Sequence, residues 1–460
     1  MNQSMRQGPA LEALASKITV IGKKGKCAII LPVYDEINLL NGHLGILEKQ
    51  AVPDFDVVIV FCQKSLDVSR IRKSSRFGTV TICMKEQLGA AAGYYAGELY
   101  ALQNGYECVI LADVDCVPLS SDLVRKLGDS VSDHPDCVIS PVWEPFEGFR
   151  NKSLSLHWYG AMHPSLLRKA GLTFLPFYFG CLDSEHEARL LGKSGCKSKI
   201  YLDDGCVYHP ISKNMGLGRS SERAIYDARN AGPTIFLHPL NVWFWFVGLV
   251  SLCSFCFCDS LANFAKRARA AIGLLRSMAM ADYGPLPGNA PLPSYQEIKL
   301  EELPISAKRK TAIIIESHLG KEKARSLASS LSKKGFGCEV IGSKTETGFF
   351  FPLIESAIRC SISADAILVC ISPKYLFSPF LLASKSLYAH DGEKTYVIYE
   401  NKDVLSRILH FSVSMLSVAL LSPVYLAISF ISALRLKNSL DGYGLNNLKN
   451  DATPSLSSNL

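Results

Sequence analysis

Short apolar runs bounded by polar turns recur along the first quarter of the chain. Cys27–Pro32, Val57–Cys62, Thr79–Cys83 and Cys108–Ala112 are each too short for a helix of ordinary length and read as buried strands. Helical patterns fall around Asn38–Gln50 and over Leu88–Asn104, the second rich in Ala and Gly. Strands alternating with helices in this way predict an α/β unit with a mainly parallel sheet. In such sheets ligands sit beyond the carboxyl ends of the strands, so the polar residues that follow the first, second and fourth runs are the places where chemistry is expected. Residues 1–24 read as a polar lead-in. Residues 141–235 are less regular and carry Trp143, Trp158, Tyr159, Phe177, Tyr178 and Phe179. A helix over 184–194 is signalled by Ser184-x-x-Glu187, a capping-box spacing, and KIYL (199–202) and CVYHP (206–210) follow it.

Two longer apolar stretches break this rhythm. Leu240–Cys258 has no charged residue until its end and carries Trp243 and Trp245, with Lys266, Arg267 and Arg269 beyond it. Ile408–Leu434 is bounded by Arg407 and Arg435 and contains Pro423. Length and flanks suit membrane helices, the second being a tilted span or a hairpin. Between them a Pro/Gly-rich linker precedes a second alternating pattern. Its strands are expected at 311–317, 338–342, 366–372 and 395–400, with a helix at 321–334. The expected division is a polar segment 1–24, a first α/β domain 25–235, a membrane-associated helix with basic flank 236–280, a linker 281–305, a second α/β domain 306–402, a membrane helix or hairpin 403–438 and a disordered tail 439–460.

Composition narrows the class. The 460 residues are 48% hydrophobic and 20% charged, which excludes a disordered or fibrous chain. A net charge of +7 favours anionic partners such as nucleotide phosphates or lipid head groups, and is too weak to argue for nucleic acid. The 15 cysteines are odd in number and scattered, several inside predicted strands, which suits reduced thiols better than a disulfide framework. The first residues show no apolar core of a secretory signal, so none is expected.

Asp113-x-Asp115 directly follows the fourth strand. Two carboxylates there can hold a hard divalent cation that bridges phosphates; the bland alternative is a pair of solvated turn acids before Pro118. Asp54 and Asp56 have the same spacing but precede their strand and read as a solvated turn. Asp183 stands where an acid could simply cap a helix, Glu185 and Arg189 are spaced as a surface pair, and His209 alone is more often structural. Gly192-Lys193-Ser194 lacks the first glycine of a P-loop. Cys253, Cys256 and Cys258 lack a second ligand pair for zinc.

Taken as an ordered set, ILPVYDE (30–36), QLGAAAGYYAG (87–97), YECVILADVDCVP (106–118), LDSEHEAR (182–189), CVYHP and YDARN (226–230) resemble family 2 glycosyltransferases of the GT-A fold, in the variant found among galactofuranosyl- and rhamnosyl-transferases. The resemblance covers about half the chain. It implies a Rossmann-like nucleotide-sugar domain and an inverting transfer from a nucleotide-diphosphate sugar. It implies Asp183 as catalytic base, with Mg²⁺ or Mn²⁺ held by Asp113, Asp115 and His209. Donor contacts are implied for Pro32, Tyr34, Glu36, Gln63, Gly89, Asp113 and Arg229. Arg219, Arg223 and Arg229 could close over the diphosphate or be solvated or membrane-facing charge. The chain departs from the family pattern at Cys62-Gln63, where an aspartate pair is usual, at Asp35, where asparagine is usual, and at Leu182, where an acid is frequent. The expected acceptor is a lipid-linked glycan or polysaccharide, with the enzyme on a membrane and its catalytic domain on the cytoplasmic side. The alternative is a non-catalytic GT-A-like scaffold. A processive synthase would need more spans and a Gln-x-x-Arg-Trp sequence. Residues 311–401 weakly resemble a Toll/interleukin-receptor-like domain through AIIIESH, SADAILVCISPKYLFSPF and VIYEN. Ser384 stands where its catalytic glutamate would be, so a protein-binding module in 306–402, or any flavodoxin-like unit, is implied rather than NAD cleavage.

Overall fold

The structure is a computed structural model. It describes residues 9–440 except 23, 53, 64–67, 147–148, 153–154, 194, 210–216, 257–259, 281–295, 300–309, 316–327, 330, 334–336, 342–365, 371–385, 391–394 and 400–402. The chain divides into two units. Met1–Pro210, Tyr283–Pro285 and Leu434–Leu460 make the first, and Ile211–Asp282 and Leu286–Ala433 the second.

The first unit opens with a one-turn helix α1 (Leu11–Leu14) and continues β1 (Ala15–Ile21), β2 (Cys27–Val33), α2 (Ile37–Leu47), β3 (Phe55–Phe61), β4 (Gly78–Met84), α3 (Gly89–Gln103) and β5 (Cys108–Ala112). It goes on through β6 (Val117–Pro118), α4 (Leu123–Asp133), β7 (Cys137–Phe146), β8 (Phe149–Lys152), β9 (Trp158–Met162), α5 (Pro164–Ala170), α6 (Leu182–Lys193) and β10 (Ser198–Tyr208). The strands join one sheet in the order β1-β4-β3-β2-β5-β9-β7-β10-β6, with β8 beside β7. The four strands read from the apolar runs are mutually parallel, as their pattern predicts. The mostly parallel α/β sheet of a Rossmann-like fold is therefore present.

Every residue of β2 and β3 is buried because helices cover both faces. On one face α2 and α4 supply Leu40, Leu44, Leu127 and Val131 against Ile29, Val57 and Ile110. On the other lies α3, held close by its small residues. A Cβ on Gly93 would stand 2.6 Å from Pro32 Cβ and 2.8 Å from Cys62 Sγ, and one on Gly97 2.4 Å from Ile30 Cγ2. The Ala/Gly composition of α3 thus lets its backbone lie on the sheet and brings its start to the strands' carboxyl ends.

Two sequence readings change here. Residues 15–21 are not lead-in but the antiparallel edge strand β1, paired with β4. Its outer position leaves Ile18, Val20 and Ile21 exposed, so no continuous buried run marks it in the sequence. Asp56 is not a solvated turn acid. It is buried inside β3, where it accepts the Gly25 amide at 3.0 Å and the Tyr106 hydroxyl.

The second unit contains helices α7 (Leu217–Leu237), α8 (Val242–Phe255) and α9 (Leu261–Met280) and all but the last turns of α10 (Val404–Leu440). It also contains a six-stranded sheet of β11 (Gln296–Ile298), β12 (Lys310–Ile315), β13 (Gly337–Ile341), β14 (Ala366–Cys370), β15 (Ser386–His390) and β16 (Thr395–Tyr399). Its order is β11-β16-β15-β14-β12-β13, with β13, β12, β14 and β15 parallel. Of the helix expected at 321–334 only short helical pieces within 328–333 are described; of the expected linker 281–305 only 296–299 are described and they carry strand β11, and most of the tail lies outside the described residues. Ile225, Ala228, Leu252, Ala271, Leu274, Met278 and Tyr425 pack the helices together, and the Tyr425 hydroxyl donates to Ala228 O at 2.6 Å.

The two apolar stretches differ. α8 has 14 residues, about 21 Å at 1.5 Å per residue, short of a bilayer core of roughly 30 Å. Leu240–Cys258 therefore does not form one spanning helix. α10 runs unbroken through Pro423, which removes the hairpin alternative, and Leu405–Lys437 is long and apolar enough to cross a membrane. Its polarity is inverted: Ser414, Ser429 and Ser432 are buried, whereas Leu405, Leu416 and Leu420 are 78%, 61% and 64% exposed.

Gly93→Ala and Gly97→Ala should each lower stability by about 1–3 kcal/mol through overpacking. Gly42→Ala, where an added Cβ meets nothing within 4 Å, should instead be neutral or stabilising by up to about 1 kcal/mol. Denaturant melts of the three variants check the contrast; equal behaviour would contradict the close contact of α3 and sheet.

Candidate active site

β5 ends at Ala112, and the next three residues turn away from the sheet. The Asp113 amide donates to His157 O at 2.8 Å and the Cys116 amide to Asp113 O at 3.0 Å. The chain then enters β6, which pairs antiparallel with the end of β10, Val117 opposite Tyr208 and Pro118 opposite Val207. That pairing carries His209, the residue after β10, to Asp115: Nε2 lies 3.3 Å from Asp115 Oδ1. One ligand atom each from Asp113, Asp115 and His209 falls within 4.8 Å of the others. The histidine is held from behind. Trp143 Nε1 donates to its carbonyl at 3.2 Å, and Trp158 stacks on its ring at 4.4 Å.

Two carboxylates and one imidazole are a donor set that fits Mg²⁺ or Mn²⁺. The electrostatics agree. Burial pushes Asp113 up, with the Asp115 charge adding to it against the pull of His157 and His209. Burial is the largest influence on Asp115 and works against its charge, but the hydrogen bond and charge of His209 together with its own backbone amide bring that carboxyl down. A divalent cation is the charge that would relieve both groups at once.

Rings surround the pair. Tyr94, on α3, donates its hydroxyl to Asp113 Oδ1 at 2.6 Å, and its ring stacks on His157 at 3.7 Å. His43, on α2, lies beneath the turn: Nδ1 donates to Val114 O at 3.0 Å and Nε2 accepts from the Tyr159 hydroxyl at 2.5 Å. Burial brings His43 down to about 4, so it stays neutral and serves as a hydrogen-bonding strut. Tyr94, His43, His157 and Trp158 were not singled out as site residues by sequence reasoning. For His43 and Tyr159 the partners are 71 and 116 residues apart, beyond any local pattern.

Asp183 occupies the first turn of α6, half-buried, with Ser184 Oγ donating to its Oδ1 at 3.4 Å. Its charge reaches Tyr94 and His157, the same two rings that face Asp113. The turn before α6 has Tyr178, Gly180 and Cys181 all at positive φ. It abuts the start of α3, where the Ala91 amide donates to Tyr178 O at 3.2 Å. Gly89, at φ +85°, is small for this reason: a Cβ there would stand 2.3 Å from Tyr178 O.

Beneath α6 lies a buried polar network. Glu185 and Arg189 are not a surface pair. Both are fully buried, Arg189 Nε donates to Glu185 Oε1 at 2.7 Å, and its other nitrogens donate to Ala170 O and Leu172 O, each at 2.9 Å. Thr173 donates its amide and hydroxyl to Glu98 of α3 at 2.6 and 2.7 Å, and His186 Nε2 donates to Gly171 O at 3.2 Å. These bonds clamp α6 to α3 and fix where Asp183 stands.

The remaining expected residues are placed as follows. Pro32 packs under Gly93 within the sheet–helix contact. Tyr34 is half-buried, and its amide and that of Asp35 donate to the Glu36 carboxylate at 3.2 and 3.1 Å, so Glu36 braces its own loop. Gln63 is half-buried at the end of β3, beside Cys62, whose thiol burial pushes up to about 12. Arg229 belongs to the second unit, buried, with its guanidinium 5.0 Å over the Tyr226 ring and Nε donating to Asn230 Oδ1 at 3.3 Å. The side chains of Arg219 and Arg223 lie outside the described residues.

Fold and site together define an α/β protein with a carboxylate–imidazole centre at the carboxyl edge of a mostly parallel sheet. No family model matches the chain, and no curated protein does. Among solved structures the chain is similar to the mannosyltransferase PcManGT of Pyrobaculum calidifontis in complex with GDP-Man and Mn²⁺, with 17% identity over 56% of this chain and 81% of that one, TM-score 0.35. It is also similar to TarS 1–349 of S. aureus in complex with UDP-GlcNAc, with 15% identity over 58% and 82% of the chains, TM-score 0.38. These scores lie below 0.5, and the assignment of residues rests on this chain's own geometry.

The buried network generates a pH signature. Burial pushes Glu98 up to about 7 and holds His186 well below its ordinary value. A carboxyl raised in the folded state stabilises fully below its unfolded value of about 4.3, and that contribution fades as pH rises through the folded pKa. A depressed histidine contributes above about pH 6.5 and loses stability on acidification below it. Between these limits the two offset one another. In Glu98→Gln only the histidine term remains. Its stability should fall below about pH 6.5 more steeply than wild type, by up to about 1.4 kcal/mol per pH unit. Urea melts across pH 5–7 test this, and parallel profiles would contradict the linkage.

Proposed function

We propose that the first unit is a metal-dependent, inverting glycosyltransferase of the family 2 type that takes a nucleotide-diphosphate sugar as donor. The observation that carries the reading is the convergence of Asp113, Asp115 and His209 on one cation-sized space, with Asp183 acting on the same pair of rings as Asp113. The ordered motifs around these residues support it. Mg²⁺ or Mn²⁺ bound by the three side chains would neutralise the diphosphate and stabilise the charge that develops as it leaves. Asp183 serves as general base. Its carboxylate takes the proton of an acceptor hydroxyl while that oxygen attacks the anomeric carbon, and the bond from that carbon to the diphosphate oxygen breaks with its electron pair leaving on the diphosphate. One displacement inverts the anomeric configuration. The clamp under α6 keeps the base at a set distance from the reacting centre, which is where orientation contributes to rate.

The reading extends to a membrane. α10 buries Ser414, Ser429 and Ser432 while Leu405, Leu409, Leu416 and Leu420 stay exposed, the reverse of a helix solvated by water and the arrangement expected in lipid. We therefore place the enzyme on a membrane with its catalytic unit on the cytoplasmic side, acting on a lipid-linked or polysaccharide acceptor.

Calorimetry with UDP-GlcNAc and GDP-mannose, with and without Mn²⁺, tests the donor step. Asp115→Asn should remove metal-dependent binding. Asp183→Asn should bind donor as wild type does while transfer falls by about 10²–10⁴-fold. Unchanged transfer in Asp183→Asn would refute its role as base.

A further inference from the structure

His157 stands out among the rings of the site because its Nε2 is buried and finds no hydrogen-bond partner among the described residues. A buried polar atom left unmatched is costly, and at a site it marks where a ligand group completes the bonding. The backbone places this ring deliberately. Leu111 pairs with Gly160 and Ala112 with Trp158, so Tyr159 is the extra residue of a bulge between β5 and β9. Tyr159 sits at φ +61°, and Gly160 has no room for a Cβ, which would meet Leu156 O at 2.3 Å. Ser155 Oγ accepts the His157 amide at 3.1 Å, and the His157 carbonyl accepts the Asp113 amide at 2.8 Å. Bulges of this kind re-aim side chains beside active sites, and the strain at Tyr159 persists because its surroundings over-determine it. The result is a fixed ring, stacked on Tyr94 at 3.7 Å, on which the charges of Asp113 and Asp183 both act.

That position has a chemical meaning within the transfer reaction proposed above, on which the following rests. In that reaction the diphosphate would lie toward Asp113 and Asp115 and the attacking hydroxyl toward Asp183, so the group between them would be the sugar being transferred. We infer that His157 Nε2 hydrogen-bonds a hydroxyl of the donor sugar and so helps to determine which sugar is accepted. The stack on Tyr94 leaves the ring little freedom to follow a hydroxyl elsewhere, and a site built to bond one hydroxyl discriminates against sugars that lack it or present it differently.

The test is calorimetry on the full chain, comparing nucleotide sugars with their bare diphosphates. UDP-GlcNAc and UDP-glucose are set against UDP, and GDP-mannose against GDP, all with Mn²⁺. His157→Phe keeps a ring for the Tyr94 stack and removes both nitrogens; His157→Gln restores a polar group and serves if the phenylalanine variant does not fold. The expected result is a loss of about tenfold in affinity for whichever nucleotide sugar binds wild type, with affinity for its diphosphate changed by less than about twofold, and partial recovery in His157→Gln. An equal loss for sugar and diphosphate would overturn the inference and leave His157 a support for the Asp113 turn. No loss in either would overturn it too. Failure of the wild type to bind any of these nucleotides would refute the glycosyltransferase reading, and the role of His157 with it.

Discussion

Two carboxylates held close together at the end of a buried strand repel one another, and the first unit is arranged around that repulsion. Asp113 and Asp115 leave β5 where the sheet's carboxyl edge meets solvent. Much of what braces them carries no charge: a tyrosine hydroxyl on Asp113, a neutral histidine under Val114, a stacked imidazole beside Tyr94. Among the described residues the groups that contact the pair leave it an affinity for a cation. The imidazole of His209, which among the described residues comes within direct reach, arrives by the two-residue pairing of β6 with β10. A ladder of that size is weak alone and holds because Trp143 and Trp158 grip the histidine from its carbonyl and its ring.

The second requirement is that a third carboxylate stand near the pair without joining it. Small residues on α3 meet it at both ends. Gly93 and Gly97 let the helix lie on the sheet, and Gly89 admits the Tyr178 carbonyl against the helix start. The positive-φ turn at 178–181 then releases α6 with Asp183 in its first turn. A helix end is a mobile place by nature. Here the Glu185–Arg189 pair and the Glu98–Thr173 bonds anchor the following turns to α3 and to the segment after α5. A buried ion pair adds little net stability, but its geometry is strict, and strict geometry is what the role of general base proposed for Asp183 needs.

The second unit solves a different problem. Its helices meet through Tyr425, Ala228, Leu274 and Met278, and Ser414, Ser429 and Ser432 of α10 are buried while its Leu405, Leu409, Leu416 and Leu420 are exposed. In water this would expose a long apolar stripe to no benefit. In the lipid setting proposed above the outward leucines would be solvated, and buried serines find carbonyls, Ser414 that of His410 at 2.8 Å and Ser432 that of Met278 at 3.1 Å.

Much of the first unit was legible in the chain itself. Buried runs such as Val57–Cys62 have no other comfortable place than the middle of a two-sided sheet, and Asp113-x-Asp115 is recognisable because it follows such a run directly. The edge strand β1 escaped because half-exposed strands lack that signature, and Asp56 and the Glu185–Arg189 pair were misread because spacing says nothing of burial. The apolar stretch Leu240–Cys258 was long enough by composition, but the length of a helix is set by where the chain turns. What the sequence by itself determined was the order of elements and the identity of the acids, since both follow from local patterning. Only tertiary structure decided that His209 reaches Asp115, that His43 props Val114 and that His157 stacks on Tyr94 beside the Asp113 turn. Each of those contacts joins residues tens of positions apart through strand pairing and a bulge, and no local pattern encodes which distant strand will be the neighbour.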